Sequence, residues 1–113
     1  MLPQIYRLTK NKNFERITKK GQSIYCRELG LKWIKNDLAF SRFGIVISLK
    51  VSKKATVRNK IKRRIRAIIY QSLKTIKPRY DIIISTKPEI RELDYWQIKE
   101  KLEKLFDRAG LMV

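Results

Sequence analysis

Residues Ser52–Tyr70 read SKKATVRNKIKRRIRAIIY, and eight of these nineteen positions are lysine or arginine while none is acidic. Val57, Ile61, Ile65 and Ile68 recur at helical spacing, so the stretch predicts an amphipathic helix with one buried row. Arg58, Lys62 and Arg66 recur at the same spacing, with Asn59 and Arg63 alongside. Like charges three or four residues apart on a helix repel one another. A row of this kind requires an anionic partner, and the helix reads as a core element that also carries a polyanion-binding surface.

Outward from this helix, predicted to run over Thr56–Lys74, lie two apolar runs rich in β-branched residues. FGIVISL at Phe43–Leu49 and YDIIIST at Tyr80–Thr86 both read as strands. A helix joining two strands normally makes them parallel neighbours. Lys50–Lys54 forms a basic loop into the helix, and Lys77-Pro78-Arg79 ends it, since proline and the residue before it resist helical geometry. Thr9–Lys20 predicts a short helix capped by Asn11 or Asn13 and stopped at Gly21. Ser23–Lys35 alternates enough for one half-exposed strand, and turn formers in Asn36–Arg42 would close a hairpin into Phe43–Leu49. Asp94 with Gln97 makes a capping-box pattern for a last helix, whose buried stripe is Ile98, Leu102, Leu105, Phe106 and Ala109. The resulting order, α-β-β-α-β-α, describes a single-domain α+β sandwich over residues 1–113.

Composition narrows the function classes. The 113 residues include 28 lysines and arginines against 10 acidic residues, for a net charge of +18. These cations occur along the whole chain, which points to nucleic acid as partner. No histidine is present, and Cys26 is the sole cysteine. That composition excludes zinc sites and histidine-dependent catalytic triads, and the carboxylates show no pairing or metal-cage pattern. No catalytic residue and no protein-bound metal is therefore expected. A lone cysteine fits a reducing, cytoplasmic setting. No apolar run reaches membrane-spanning length, the N-terminus lacks a secretory pattern, and no stable protein partner is expected. Phe14, set among Arg7, Lys10, Lys12, Arg16, Lys19 and Lys20, suits either base stacking or the core. Tyr25 and Trp33 admit the same two readings, and Trp96 is expected to pack the last helix.

Val57-Arg58-Asn59-Lys60-Ile61-Lys62-Arg63, with Arg66 beyond it, resembles the RNR signature of the bacterial ribonuclease P protein component. The likeness extends to Tyr6-Arg7-Leu8, Asn13-Phe14, Lys20-Gly21, Phe43–Ser48, Lys50–Ala55, Tyr80–Ile84 and Arg108–Leu111. It implies a ribosomal protein S5 domain 2-like fold with a left-handed crossover through the basic helix, where general rules favour the right-handed form. It further implies an RNA-binding subunit with no catalytic residue of its own. The catalytic RNA, with Mg²⁺, would remove the 5′ leader of precursor tRNA.

Residue by residue, the resemblance implies that Lys50, Lys53, Lys54, Arg58, Asn59, Lys60, Lys62, Arg63 and Arg66 grip the RNA subunit. Arg7, Phe14, Lys32 and Ser48 would line a cleft for the single-stranded leader. The chain departs from the family pattern at four positions. Lys60 replaces an arginine, Leu49 stands where lysine is common, Thr18 replaces a second cleft phenylalanine, and Lys32 replaces a tyrosine. The leader would then be held with more charge and less stacking. Two other readings remain for the same basic chain. One is a structural ribosome-associated protein bound to ribosomal RNA; the other is a DNA-binding module, for which no dimerisation element is evident.

Overall fold

In a computed structural model that describes residues 2–113, the chain forms α1 (Asn11–Lys20), β1 (Gln22–Tyr25), β2 (Leu29–Lys35), β3 (Arg42–Val46), α2 (Ala55–Ser72), β4 (Tyr80–Thr86) and α3 (Tyr95–Arg108). The four strands make one mixed sheet in the order β1-β2-β4-β3. β1 and β2 are antiparallel, as are β2 and β4, whereas β3 and β4 are parallel and joined through α2. The α+β class and the parallel pair across the basic helix follow the sequence expectation.

Three local expectations are corrected. The stretch Ser23–Lys35 is two strands, because the chain reverses at Cys26–Glu28, where the Cys26 N–H donates to the Leu29 carbonyl at 2.9 Å. Asn36–Arg42 does not close a hairpin between β2 and β3, since β4 lies between those strands. The physical cause is Asp81 at the start of β4, which is fully buried. Asn36 Nδ2 donates to its carboxylate from the β2 side at 2.9 Å, and Arg42 Nε and Nη2 donate from the β3 side at 2.9 and 2.7 Å. The third concerns α1, which begins at Asn11 after Lys10, with no side-chain cap from either asparagine. Boundaries also shift slightly: β3 ends at Val46 and α2 at Ser72.

The sheet separates two apolar clusters. Leu29, Leu31, Trp33, Phe43, Ile82 and Ile84 face α2 and α3, and pack with Ile61, Ile65, Ile68, Ile69, Ile98, Leu102, Leu105 and Phe106. The isoleucine row of the basic helix is thus buried as its spacing predicts, with Val57 half-buried at its start. On the opposite face Leu8, Ile17 and Ile83 pack with Phe14 and Ile34 under α1. The Asp94–Gln97 capping box forms, with the Gln97 N–H donating to Asp94 Oδ1 and the Asp94 N–H donating to Gln97 Oε1, both at 2.9 Å. Trp33 belongs to the core. Trp96 does not pack α3 as expected: it is 68% exposed, its ring edge-on to Tyr95 and 5.5 Å from Lys99 Nζ.

Candidate nucleic-acid interface

With its isoleucines turned to the sheet, α2 presents its polar and cationic side chains on the remaining surface in three sets. Asn59 and Arg63 are exposed. Lys60 and Arg64 flank one side, where they share a cavity of about 220 Å³ with Arg91, Ile90 and Leu93. Lys62 and Arg66, one helical turn apart, flank the other side and reach toward the edge of β3. The exposed loop residues Lys50, Lys53 and Lys54 precede the helix. Arg58 has a structural duty as well, since its Nη1 donates to the Ser52 carbonyl at 2.9 Å and ties that loop to the first helical turn.

The edge of β3 is not bare. The N-terminal segment turns through Gln4–Tyr6 and then runs alongside, with Arg7 bridged to Phe43 in parallel sense. The Leu8 N–H donates to the Phe43 carbonyl at 2.8 Å. This brings Arg7 opposite α2, and a cavity of about 250 Å³ opens between them, lined among others by Arg7, Phe14, Gly44, Ile45, Lys62 and Arg66. Among the described residues no acidic side chain lines it. Burial first, and the neighbouring charge of Arg7 second, push the Arg66 guanidinium down from its ordinary value. Three cations held together in this way are short of counter-charge, and a phosphate entering the groove would supply it.

Phe14 forms the aromatic wall of this groove, and its position depends on a missing side chain. A Cβ on Gly44 would lie 2.6 Å from Phe14 Cζ and 2.7 Å from Cε1, so the ring rests directly on the backbone of β3. Leu8, Ile17 and Ile83 support it from α1's side of the sheet. On the same sheet face the half-buried Lys32 pairs with Ser23 and Ile83 across the strands, with the buried Ile83 between it and Gly44. Ser48 is exposed two residues past the end of β3.

The expected residues therefore do not divide into two separate surfaces. Lys62 and Arg66, assigned with the helix, line the same groove as Arg7 and Phe14, assigned with the cleft. Lys50, Lys53, Lys54, Arg58, Asn59, Lys60 and Arg63 stand outside that groove, and so do Lys32 and Ser48. Sequence reading passed over Arg64, which belongs to the same basic run, and Arg91, which only the packing of the turn at Pro88–Glu92 brings near α2. Tyr25, which admits stacking or core packing on sequence, is exposed. Thr18 contributes no aromatic surface; its Oγ1 donates to the Phe14 carbonyl at 2.9 Å, and Leu49 is an exposed turn residue.

Among the described residues no group of three or more histidine, cysteine, aspartate or glutamate side chains is placed to hold a metal ion. The acidic residues nearest the sheet are engaged elsewhere, Asp81 with Arg16 and Arg42, and Glu28 with Lys101. Among the described residues no helix is long and apolar enough to cross a membrane.

Known proteins resemble the chain over nearly its whole length. A family model described as Ribonuclease P matches residues 2–110. The ribonuclease P protein component of Synechocystis sp. is 38% identical over 112 residues, spanning 98% of this chain and 90% of that protein. The corresponding protein of Geobacillus sp. is 31% identical over 108 residues, spanning 95% and 92%. Among solved structures, the RNase P protein of Staphylococcus aureus superposes with a TM-score of 0.89 at 33% identity, covering 96% of this chain and 98% of that one. That of Thermotoga maritima superposes with a TM-score of 0.83 at 34% identity, covering 90% and 96%. These relatives lend the ribosome-associated alternative no support.

Proposed function

The chain belongs to the bacterial ribonuclease P protein family, and from that membership we propose how its surface is used. As a protein component it is one part of a ribonucleoprotein endoribonuclease and partners the ribonuclease P RNA. In our reading Lys50, Lys53, Lys54, Arg58, Asn59, Lys60, Lys62, Arg63 and Arg66 bind that RNA. Arg64, in the same run, joins them. Arg7, Phe14, Lys32 and Ser48 hold the single-stranded 5′ leader of precursor tRNA. The RNA carries both the catalysis and the Mg²⁺, and the complex works in the cytoplasm.

The observation that supports this reading is the groove between Arg7 and α2. It joins the cationic flank of the helix to the aromatic and open face of the sheet without an intervening acidic residue. Its cations suit phosphates, which fix position without reading sequence, and Phe14 suits an unpaired base. A strand lying there would touch Lys62 and Arg66 as it passes from RNA subunit to sheet. Cationic side chains at the junction lower the phosphate repulsion that divalent ions otherwise screen.

Reconstitution tests the reading. The protein alone leaves precursor tRNA intact, whereas the protein with a bacterial ribonuclease P RNA cleaves the leader faster at low Mg²⁺ than the RNA does by itself. Equal rates with and without protein at low Mg²⁺ would reject it.

A further inference from the structure

The strand register divides the open sheet face into transverse rows. One row runs Ser23, Lys32, Ile83, Gly44 and carries the Phe14 ring on its glycine. The next row, two residues farther from α1's end of the sheet, runs Tyr25, Gly30, Ser85, Val46. It repeats the same device. A Cβ on Gly30 would lie 2.5 Å from Tyr25 Cδ1 and 2.7 Å from Cε1, so the Tyr25 ring rests on the backbone of β2. Each row thus has an aromatic ring seated on a glycine, and each has a lysine at hand. In the second row it is Lys87, whose Nζ donates to the Cys26 carbonyl at 2.8 Å and lies over the Tyr25 ring, 5.3 Å from its centroid.

We propose that Tyr25 is a second stacking platform for the 5′ leader, engaging a base beyond the one at Phe14, with Lys87 beside it for the backbone phosphate. The proposal rests on the reading of this face as the leader site. An aromatic ring laid over a strand glycine also repairs the sheet, because glycine leaves an uncovered gap there. Two observations exceed that structural duty. Tyr25 keeps 45% of its surface exposed, and Val46, at the far end of the same row, keeps 43%. α1 packs its Ile17 and Phe14 with Leu8, Ile83 and Ile34, a cluster that includes no residue of the second row. From strand spacing and rise, the two glycines lie about 12 Å apart on the diagonal. That separation suits an extended single strand and does not suit two rings gripping one base. The loss of aromatic character at Thr18 and Lys32 is thereby made good from β1.

The test uses holoenzyme reconstituted with a bacterial ribonuclease P RNA and precursor tRNAs of graded leader length. Wild-type affinity rises in two steps as the leader lengthens. Phe14→Ala removes the first step, and Tyr25→Ala removes the second, weakening long-leader precursors about 5- to 150-fold while sparing the shortest. Tyr25→Phe retains the second step. Tyr25→Leu still covers Gly30 without a π-face and loses the step. An abasic nucleotide at one leader position reproduces the Tyr25→Ala loss and adds nothing to it. If Tyr25→Leu binds long leaders as wild type does, or Tyr25→Ala weakens all leaders equally, the ring only covers the glycine and the proposal is overturned. If wild-type affinity ignores leader length altogether, the leader-site reading itself fails and takes the proposal with it.

Discussion

Asp81 shows how much one residue organises. Among the described residues it is the one acidic side chain buried within a strand, and it receives Arg16 Nη2 at 2.8 Å in addition to Asn36 and both donors of Arg42. Burial alone would raise its carboxyl. The hydrogen bonds from Arg42 and Asn36 and the charges of Arg42 and Arg16 outweigh that effect and hold it below the ordinary carboxylate value. A group depressed in this way contributes stability that is complete above its unfolded value, about pH 4, and is lost as pH falls through the folded value. Asp81→Asn should cost about 3 kcal/mol at neutral pH, the lower end for breaking a buried ion pair, because Arg16 and Arg42 keep contact with water. Its urea stability should then vary less below about pH 4 than the wild type's does. Gly44 offers a second check at this scale. Gly44→Ala pushes a methyl group into the Phe14 ring and should cost about 1–3 kcal/mol of stability, with the ring displaced from the groove. Chemical denaturation reports the first effect, and the near-ultraviolet signal or chemical shifts of Phe14 report the second.

Among the elements, α2 bears two functions on two faces. Ile65 is fully buried in the main core, so Ile65→Ala should cost about 2–5 kcal/mol in denaturant unfolding. Arg63 is exposed, so Arg63→Ala should leave unfolding within about 0.5 kcal/mol of wild type and weaken binding to the RNA subunit. The reverse pattern would mean the helix is rotated from the position described. Both faces were legible from spacing, since isoleucine and arginine repeats on one helix leave little freedom. The strand pairing was not. Turn formers between two apolar runs ordinarily join neighbours, and nothing local in Asn36–Arg42 says that a later strand will enter between them. Asp81 supplies the reason, but its partners are 45 and 39 residues away in sequence. The break at Cys26–Glu28 was hidden as well, because the sequence there contains neither proline nor glycine.

On the scale of the molecule, a net charge of +18 dominates behaviour. Self-repulsion of this size destabilises the free fold, and screening relieves it. The melting temperature of the free protein should therefore rise with added salt and rise further with a bound polyanion; a fall with salt would show that its few ion pairs matter more. Binding to precursor tRNA in the holoenzyme should weaken steeply with salt through counterion release. Lys32→Tyr exchanges one cation of the open face for a ring and should make that log–log slope shallower by about 0.7, the value for one single-strand phosphate. An unchanged slope would remove Lys32 from the leader's path.

The sequence by itself determined the class of fold, the buried row of α2, the capping of α3, the polyanionic partner and the family. Each of these follows from local periodicity, composition or a contiguous motif, which a single strip of residues contains in full. The tertiary structure alone decided that β4 lies between β2 and β3, that Arg7 meets Lys62 and Arg66 across one groove, and that Trp96 is exposed. It alone placed Phe14 and Tyr25 on two glycines of the same open face. Those outcomes depend on which distant backbone segments approach within a ring's thickness of one another. Packing and one buried carboxylate set that approach, and no local pattern encodes it.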